Sequence, residues 1–298
     1  MIDSENIKKE KDIKRLLNFS IINLDKPKKC TSFDMVDSLR RLFDLKRCGH
    51  GGTLDPMVTG VLPIFLGEAC KIQELFMHRD KVYVGKMKFH KKVSRTEIEK
   101  AIENFIGKIK QLPPRKSRVK RVVREREIKR FEITGFDKEK REASFIVEVE
   151  AGTYIRKLVS DLGEFLGINC QMTELRRTRA GLFSEQDKEF TSINCLDEAI
   201  KDFSQGKEEK LASLIIPAEI ILKLIDSYEI KPEFLQKLKN GSPLFSEMLQ
   251  NQEDKIEILN SKEVFALICN KKIIEIARFT DQFENKSIIA KPWKVLNY

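Results

Sequence analysis

The sequence predicts an α+β fold, in which strands interleaved with short amphipathic helices form a large unit and a small β-rich unit follows. Three observations carry this. In the first two thirds, apolar residues switch repeatedly between period two and the i, i+3, i+4 spacing of a helix. The segment SQGKEEK (204–210) then interrupts the pattern with polar, charged and glycine residues, as a linker does. Beyond Pro217 the runs are short and strand-like, and VFALIC and IIEIARF, joined at Asn270, Lys271 and Lys272, read as a hairpin. The expected divisions are an N-terminal extension (1–18), a main unit (19–213) and a C-terminal unit (214–298).

Each element follows from local pattern. Residues 1–18 are a polar lead-in. IINLDKP (21–27) is an apolar run stopped by Pro27 and predicts a strand. Ser32 is positioned to cap a helix to about Leu45, with Val36, Leu39, Leu42 and Phe43 on one face. RCGHGGTLDPMVTG (47–60) holds four glycines and a proline with no periodicity, so it predicts a loop. VLPIFLG (61–67) predicts a buried strand, EACKIQELFMH (68–78) a helix and VYVGKMKFH (82–90) a strand. Ser94 and Glu97 have the spacing of a capping box for a helix that buries Ile98, Ala101, Ile102 and Phe105 and stops at Gly107. Two strands are predicted near 128–136 and 143–151; in the second, Ala143, Phe145, Val147 and Val149 alternate with more polar neighbours. TYIRKLVSDLGEFLG (153–167) predicts a helix and QMTELRRTRAGLF (171–183) a strand and turn.

Composition narrows the function classes. No run approaches the ~20 apolar residues of a membrane span, and the charged start, MIDSENIKKEKDIKR, lacks a signal peptide's apolar core. A soluble intracellular protein with no membrane association is expected. Six scattered cysteines with no CxxC pair, and three histidines, point away from a zinc site or a disulfide framework. The net charge of +10 lies wholly in residues 1–200, because residues 201–298 carry 15 basic and 15 acidic residues. Within the basic part, KIKQLPPRKSRVKRVVREREIKR (108–130) holds 11 basic and 2 acidic residues. That arginine-rich density suits a polyanion, and nucleic acid is the usual one. The candidate phosphate contacts there are Arg115, Lys116, Arg118, Lys120 and Arg121.

The loop at 47–60 is the natural place for chemistry. Its glycines let the backbone approach a ligand, and Pro56 restricts Asp55 and so directs its side chain. By residue type alone, Asp55 could be a nucleophile, a general base, a metal ligand or a turn-stabilising Asx residue. His50 is close enough in sequence to share the site.

GHGGTLDPMVTGVLP (49–63) is very similar to the aspartate motif of the TruB family of pseudouridine synthases, whose catalytic aspartate falls on Asp55. LDKP (24–27) looks like the family's N-terminal motif and brings Lys26 among the substrate-binding positions. KVYVG (81–85) resembles the strand of the active-site tyrosine, at Tyr83. AGTYIRKL (151–158) places Tyr154 and Arg156, and MTELRRTRAG (172–181) places Leu175 in the apolar pocket. Within the family the chain most resembles archaeal homologues of dyskerin, through GHGGTLDP with VTGVLP, the KMKFH strand and QLPPRKSRVKRVVR. It departs from them at Met57, where archaeal relatives commonly carry lysine. KLKNGSPLF (237–245) resembles the helix-to-strand glycine motif of a PUA domain, a small RNA-binding pseudo-barrel.

The resemblance implies a pseudouridine synthase catalytic fold, with a mixed, mainly antiparallel sheet flanked by helices and a PUA-like tail. It implies no cofactor and no metal. The target uridine would be extruded into a pocket. Asp55 would act there as nucleophile or as a base in glycal formation, oriented by Arg156. Tyr83 would stack on the base and assist proton transfer, His50 would shape the flipped-out RNA, and Tyr154 and Leu175 would form the apolar wall. The implied partners are a box H/ACA guide RNA, a substrate rRNA or tRNA and three accessory proteins. These are a zinc-ribbon-type peptide, a β-barrel protein and a kink-turn-binding ribosomal-type protein. The implied setting is archaeal cytoplasm, or the nucleolus for a eukaryotic source. Two rivals are a stand-alone enzyme acting on the tRNA T-loop and a non-catalytic RNA scaffold, for which Asp55, Tyr83 and Arg156 would be superfluous.

Overall fold

The charged lead-in ends in a helix, α1 (Ile13–Asn18), capped by Asp12, whose carboxylate accepts the Arg15 N–H at 2.9 Å. Ile13, Leu16 and Leu17 are buried, so this part of the lead-in is packed into the core. The computed structural model describes residues 7–8, 11–113, 120–251, 253–261, 263–280 and 288–298.

Strand β1 (Phe19–Lys26) is buried on both faces, as its apolar Phe19, Ile21, Ile22 and Leu24 require, and it buries Ser20 and Asn23 with them. Helix α2 (Ser32–Leu42) follows. Its cap is Thr31, not Ser32: the Thr31 hydroxyl accepts the Asp34 N–H at 3.0 Å and the Asp34 carboxylate accepts the Thr31 N–H at 2.7 Å. That frees the Ser32 hydroxyl for another use, described below. Part of the glycine-rich stretch is a strand, β2 (Cys48–His50), paired with β3 (Thr59–Gly67). The single helix expected over 68–78 is instead a 3-10 turn (Glu68–Lys71) and a short helix, α3 (Gln73–Met77), divided at Ile72. Strand β4 (Lys81–Phe89) leads to α4 (Arg95–Glu103), which has the predicted Ser94–Glu97 capping box. Strands β5 (Gly107–Gln111), β6 (Arg124–Asp137) and β7 (Glu142–Val149) form a meander. Then come α5 (Ile155–Phe165), β8 (Cys170–Ala180) and β9 (Phe183–Ser184).

Helices α6 (Ile193–Ser204) and α7 (Glu209–Leu214) contradict a linker at 204–210. This segment is a turn between two helices, tied by the Lys210–Glu198 ion pair at 2.9 Å. Leu211 is fully buried and holds α7 on the core, and strand β10 (Ile215–Pro217) then joins the main sheet beside β1. Among the described residues that sheet runs β10-β1-β3-β8-β4-β7-β6-β5, with β2 on β3 and β9 on β8. Every pairing is antiparallel except β3 with β8, which touch in parallel only at Thr59–Arg176 and Gly60–Arg177. The sheet is thus two antiparallel halves joined at a short seam, and the Asp55 loop ends at that seam. Helices cover one face through a core that includes Leu39, Ile98, Leu158 and Leu196.

The other face meets the C-terminal unit. There β11 (Ser227–Glu229), α8 (Leu235–Lys239), β12 (Leu244–Phe245), α9 (Asp254–Ser261), β13 (Val264–Cys269), β14 (Lys272–Phe279) and β15 (Ile288–Val295) build a second sheet ordered β11-β13-β14-β15-β12. The predicted hairpin is present, and Asn270 and Lys271 have φ of 50° and 62°, as a type I′ turn requires. Tyr298 stacks on Phe19 with ring centroids 3.8 Å apart, and the Lys71 ammonium donates to the Val295 carbonyl at 2.8 Å. The Asn297 N–H donates to the Glu68 carboxylate at 3.3 Å.

One buried group on β14 makes stability depend on pH. Glu275 is fully buried, and among the described residues neither of its carboxylate oxygens has a hydrogen-bond partner. Burial pushes its carboxyl up to about 8. The folded state therefore keeps a proton that the unfolded chain, titrating near 4.5, releases, so stability falls as pH rises from about 4.5 to about 8 and is level above that. Glu275→Gln removes this dependence. Its advantage over wild type in chemical denaturation should grow by roughly 1 kcal/mol per pH unit across the window. A pH-independent difference would show that Glu275 does not titrate in that range.

Candidate active site

The Asp55 loop is held from several sides. Leu54 and Val58 flank the turn and are both buried in the helix-side core, and the Val58 N–H closes the turn on the Asp55 carbonyl at 3.0 Å. The freed Ser32 hydroxyl accepts the Leu54 N–H at 2.8 Å and donates to the Leu54 carbonyl at 3.3 Å. The Lys29 N–H donates to the Pro56 carbonyl at 2.8 Å. Lys26, expected among the substrate-binding residues, is fully buried at the end of β1. Its ammonium donates to the carbonyls of Pro27 at 2.8 Å, Pro56 at 3.2 Å and Val58 at 2.8 Å. All three of its hydrogens are used, so Lys26 secures the loop from behind. Burial lowers its pKa. Gly60, at φ 99°, lets the chain pass the seam; a Cβ there would fall on the Arg177 carbonyl.

Between these fixed points the Asp55 carboxylate is half-exposed and forms an ion pair with the Arg156 guanidinium. Arg156 lies in the first turn of α5, whose start is fixed by Gln111. That buried amide accepts the Tyr154 N–H at 3.0 Å and donates to the Tyr154 carbonyl at 3.3 Å. The two partners are 62% and 49% exposed, so the pair contributes little to stability and its effect is orientation.

Tyr83 and Leu175 face the same side. In the β4–β8 ladder Tyr83 lies opposite Arg177, and Gly85 opposite Leu175. Tyr83 and Leu175 are therefore one pleat apart and share the core cluster that contains Leu54 and Val58. His50 sits on the approach to the loop, with its Nδ1 accepting the Gly52 N–H at 3.3 Å. Burial, then the nearby Arg177 charge, lowers its pKa and favours the neutral imidazole. Its described hydrogen bond does not reach Asp55. Tyr154 lines a pocket with Gln111, Pro113, Arg124, Arg126 and Gly152.

Of the proposed phosphate contacts, Arg115, Lys116 and Arg118 lie outside the described residues, whereas Lys120 and Arg121 are exposed ahead of β6. Other cations of 108–130 are paired on the sheet: Lys108 with Glu125, Arg126 with Glu150, Lys129 with Asp80 and Arg130 with Glu132. Among the described residues no group of three or more His, Cys, Asp or Glu could hold a metal ion, and no helix is long and apolar enough to cross a membrane.

Sequence reasoning misses three residues of this arrangement. Ser32 has the residue type of a helix cap, although Thr31 and Asp34 carry the same capping signature one residue earlier. Gln111 and Arg177 lie inside the motifs quoted above, yet residue type does not reveal that they grip backbone.

An oriented carboxylate, with a phenol and an apolar wall on neighbouring strands, can attack or deprotonate a ribose while a flat base is held beside it. Two family models match in succession: the TruB family pseudouridylate synthase N-terminal domain over residues 40–155, and the tRNA pseudouridylate synthase B C-terminal domain over 156–223. A probable tRNA pseudouridine synthase B of Archaeoglobus fulgidus is 36% identical over 258 residues, covering 87% of this chain and 78% of that protein. One of Korarchaeum cryptofilum is 38% identical over 237 residues, covering 79% and 72%. A chain in the crystal structure of a Cbf5-Nop10-Gar1 complex matches with a TM-score of 0.83 and 30% identity, over 97% of this chain and 88% of that one. A chain in an H/ACA RNP bound to a substrate RNA containing 2′-deoxyuridine matches at 0.81 and 28%, over 98% and 89%. With the aspartate loop, both family segments and both sheets accounted for, the chain belongs to the TruB family of pseudouridylate synthases and is an RNA pseudouridine synthase.

Proposed function

We propose that this chain is the catalytic subunit of an archaeal box H/ACA guide particle and isomerises chosen uridines of rRNA or tRNA. The observation that carries the proposal is the extent of the likeness to the chain in the Cbf5-Nop10-Gar1 complex, which spans 97% of this chain and so includes the C-terminal sheet. The partners in this reading are a guide RNA, Nop10-like and Gar1-like proteins and a kink-turn-binding protein.

In the reaction the ribose C1′–N1 bond breaks, the uracil turns, and C1′ bonds to C5. N1 gains a proton and C5 loses one, so the conversion is an isomerisation with no net redox change. Asp55 acts on the ribose, as nucleophile at C1′ or as base at C2′, with Arg156 fixing its direction. In this reading Tyr83 and Leu175 hold the base, and Tyr83 takes part in the proton transfer from C5. The C-terminal unit, from β11 onward, acts as the PUA-like unit that holds the guide, while Ile215–Pro217 belong to the main sheet. The basic segment 108–130, through Arg115, Lys116, Arg118, Lys120 and Arg121, meets RNA phosphate.

The test is reconstitution. The purified chain alone should be slow on an unstructured target, and matched guide with accessory proteins should raise the rate by orders of magnitude, because a misplacement of about 1 Å can cost roughly a hundredfold. Equal rates with and without guide would overturn the reading. A second reading, direct action on tRNA, is favoured by the name of the curated archaeal relatives, tRNA pseudouridine synthase B. Full turnover on bare tRNA transcript would establish it.

A further inference from the structure

Arg177 heads the large side chains that are under 2% exposed, and among the described residues no carboxylate pairs with it. Its Nε donates to the Val61 carbonyl at 2.8 Å and its Nη2 to the Gly52 carbonyl at 3.0 Å. Those two carbonyls stand at opposite ends of the segment that carries Asp55. The backbone of Arg177 adds two more contacts: it lies beside Gly60 at the seam and opposite Tyr83 on β4. A buried guanidinium without a counter-charge is costly, and an apolar side chain of similar volume would fill the space more cheaply. The planar fork does what an apolar chain cannot, which is to fix the separation of two carbonyls.

We propose that Arg177 is a positioning residue for the isomerisation: it staples both ends of the Asp55 loop and holds that loop in register with the Tyr83 strand. It acts through backbone and touches neither uridine nor ribose. The proposal rests on the reading of Asp55 as the reacting carboxylate. Arg177 is distinct from Arg156, which meets the Asp55 side chain directly.

The test compares Arg177→Lys and Arg177→Met with wild type and with Asp55→Asn in the assembled enzyme, at a temperature where melting curves show every variant folded. Lysine keeps the charge but, with one nitrogen, cannot span both carbonyls. Single-turnover rates should fall roughly a hundredfold in Arg177→Met and about tenfold in Arg177→Lys, with RNA Kd changed by less than about twofold. Removing the Arg177 charge should also move the His50 titration upward, followed by NMR of the imidazole. If Arg177→Met fails to fold, the Lys variant alone decides, since it retains the buried charge. Wild-type rates in the folded variants, or a raised KM at unchanged kcat, would overturn the proposal. If Asp55→Asn itself keeps turnover, the reading of the loop and the Arg177 proposal both fall. If it is inactive while both Arg177 variants run at the wild-type rate, only the proposal is lost.

Discussion

Asp55→Asn is expected to stop pseudouridine formation, by at least about a thousandfold, while the fold and the affinity for RNA stay as they are. An amide cannot form the acylal bond of the nucleophilic route or accept a proton from C2′, so both routes close together. The substitution should be silent structurally. Leu54, Val58 and the carbonyls held by Lys26 fix the loop, and none of those contacts uses the Asp55 side chain. The amide oxygen of the substituted side chain could still accept from Arg156, so its direction is kept. Release of tritium from RNA labelled at uridine C5 measures turnover, and filter binding measures affinity. Residual release near the wild-type rate would remove Asp55 from the chemistry.

The second large effect is expected at Arg156. Arg156→Lys retains a cation in the first turn of α5 but loses the planar guanidinium whose Nη2 meets the Asp55 Oδ2. Because the pair is largely exposed, thermal stability should hardly change. Turnover should fall on the order of a hundredfold, with RNA affinity nearly constant, since an ammonium leaves Asp55 free to rotate. Equal losses in affinity and in turnover would make Arg156 a binding residue instead.

The fold was readable where a single strong periodicity governed the segment. Strand β7, with Ala143, Phe145, Val147 and Val149 turned inward, and the Ser94–Glu97 capping box are both local patterns, and both are present. The reading failed where the deciding contact was distant. Ser32 is a good cap by type, yet its hydroxyl is bound to Leu54, 22 residues away. The polar run 204–210 has a linker's composition, but Leu211 next to it is buried and draws the chain back to the sheet. In the site, motif resemblance singles out Asp55, Tyr83, Arg156 and Leu175, and of these the structure brings Asp55 and Arg156 into contact. Lys26 was not legible in its present position, because a lysine with three carbonyl acceptors cannot be told from a solvent-facing one by sequence. Arg177 was hidden for the same reason: arginine in a basic stretch suggests phosphate, and only burial shows that it holds carbonyls.

Strand β1 begins at Phe19, which carries the stacked Tyr298, and ends at Lys26, which grips the far side of the Asp55 loop. Eight residues of extended chain span about 26 Å. The strand is laddered along its length to β3 and cannot stretch. It therefore sets a fixed distance between the C-terminal unit and the Asp55 loop. A guide docked an ångström out of place would not bend this connection; it would move the target relative to Asp55 by a similar amount. On the proposed guide-bound reading, selection of one nucleotide would be set by this fixed length, and pairing in the RNA would supply the matching length on its own side.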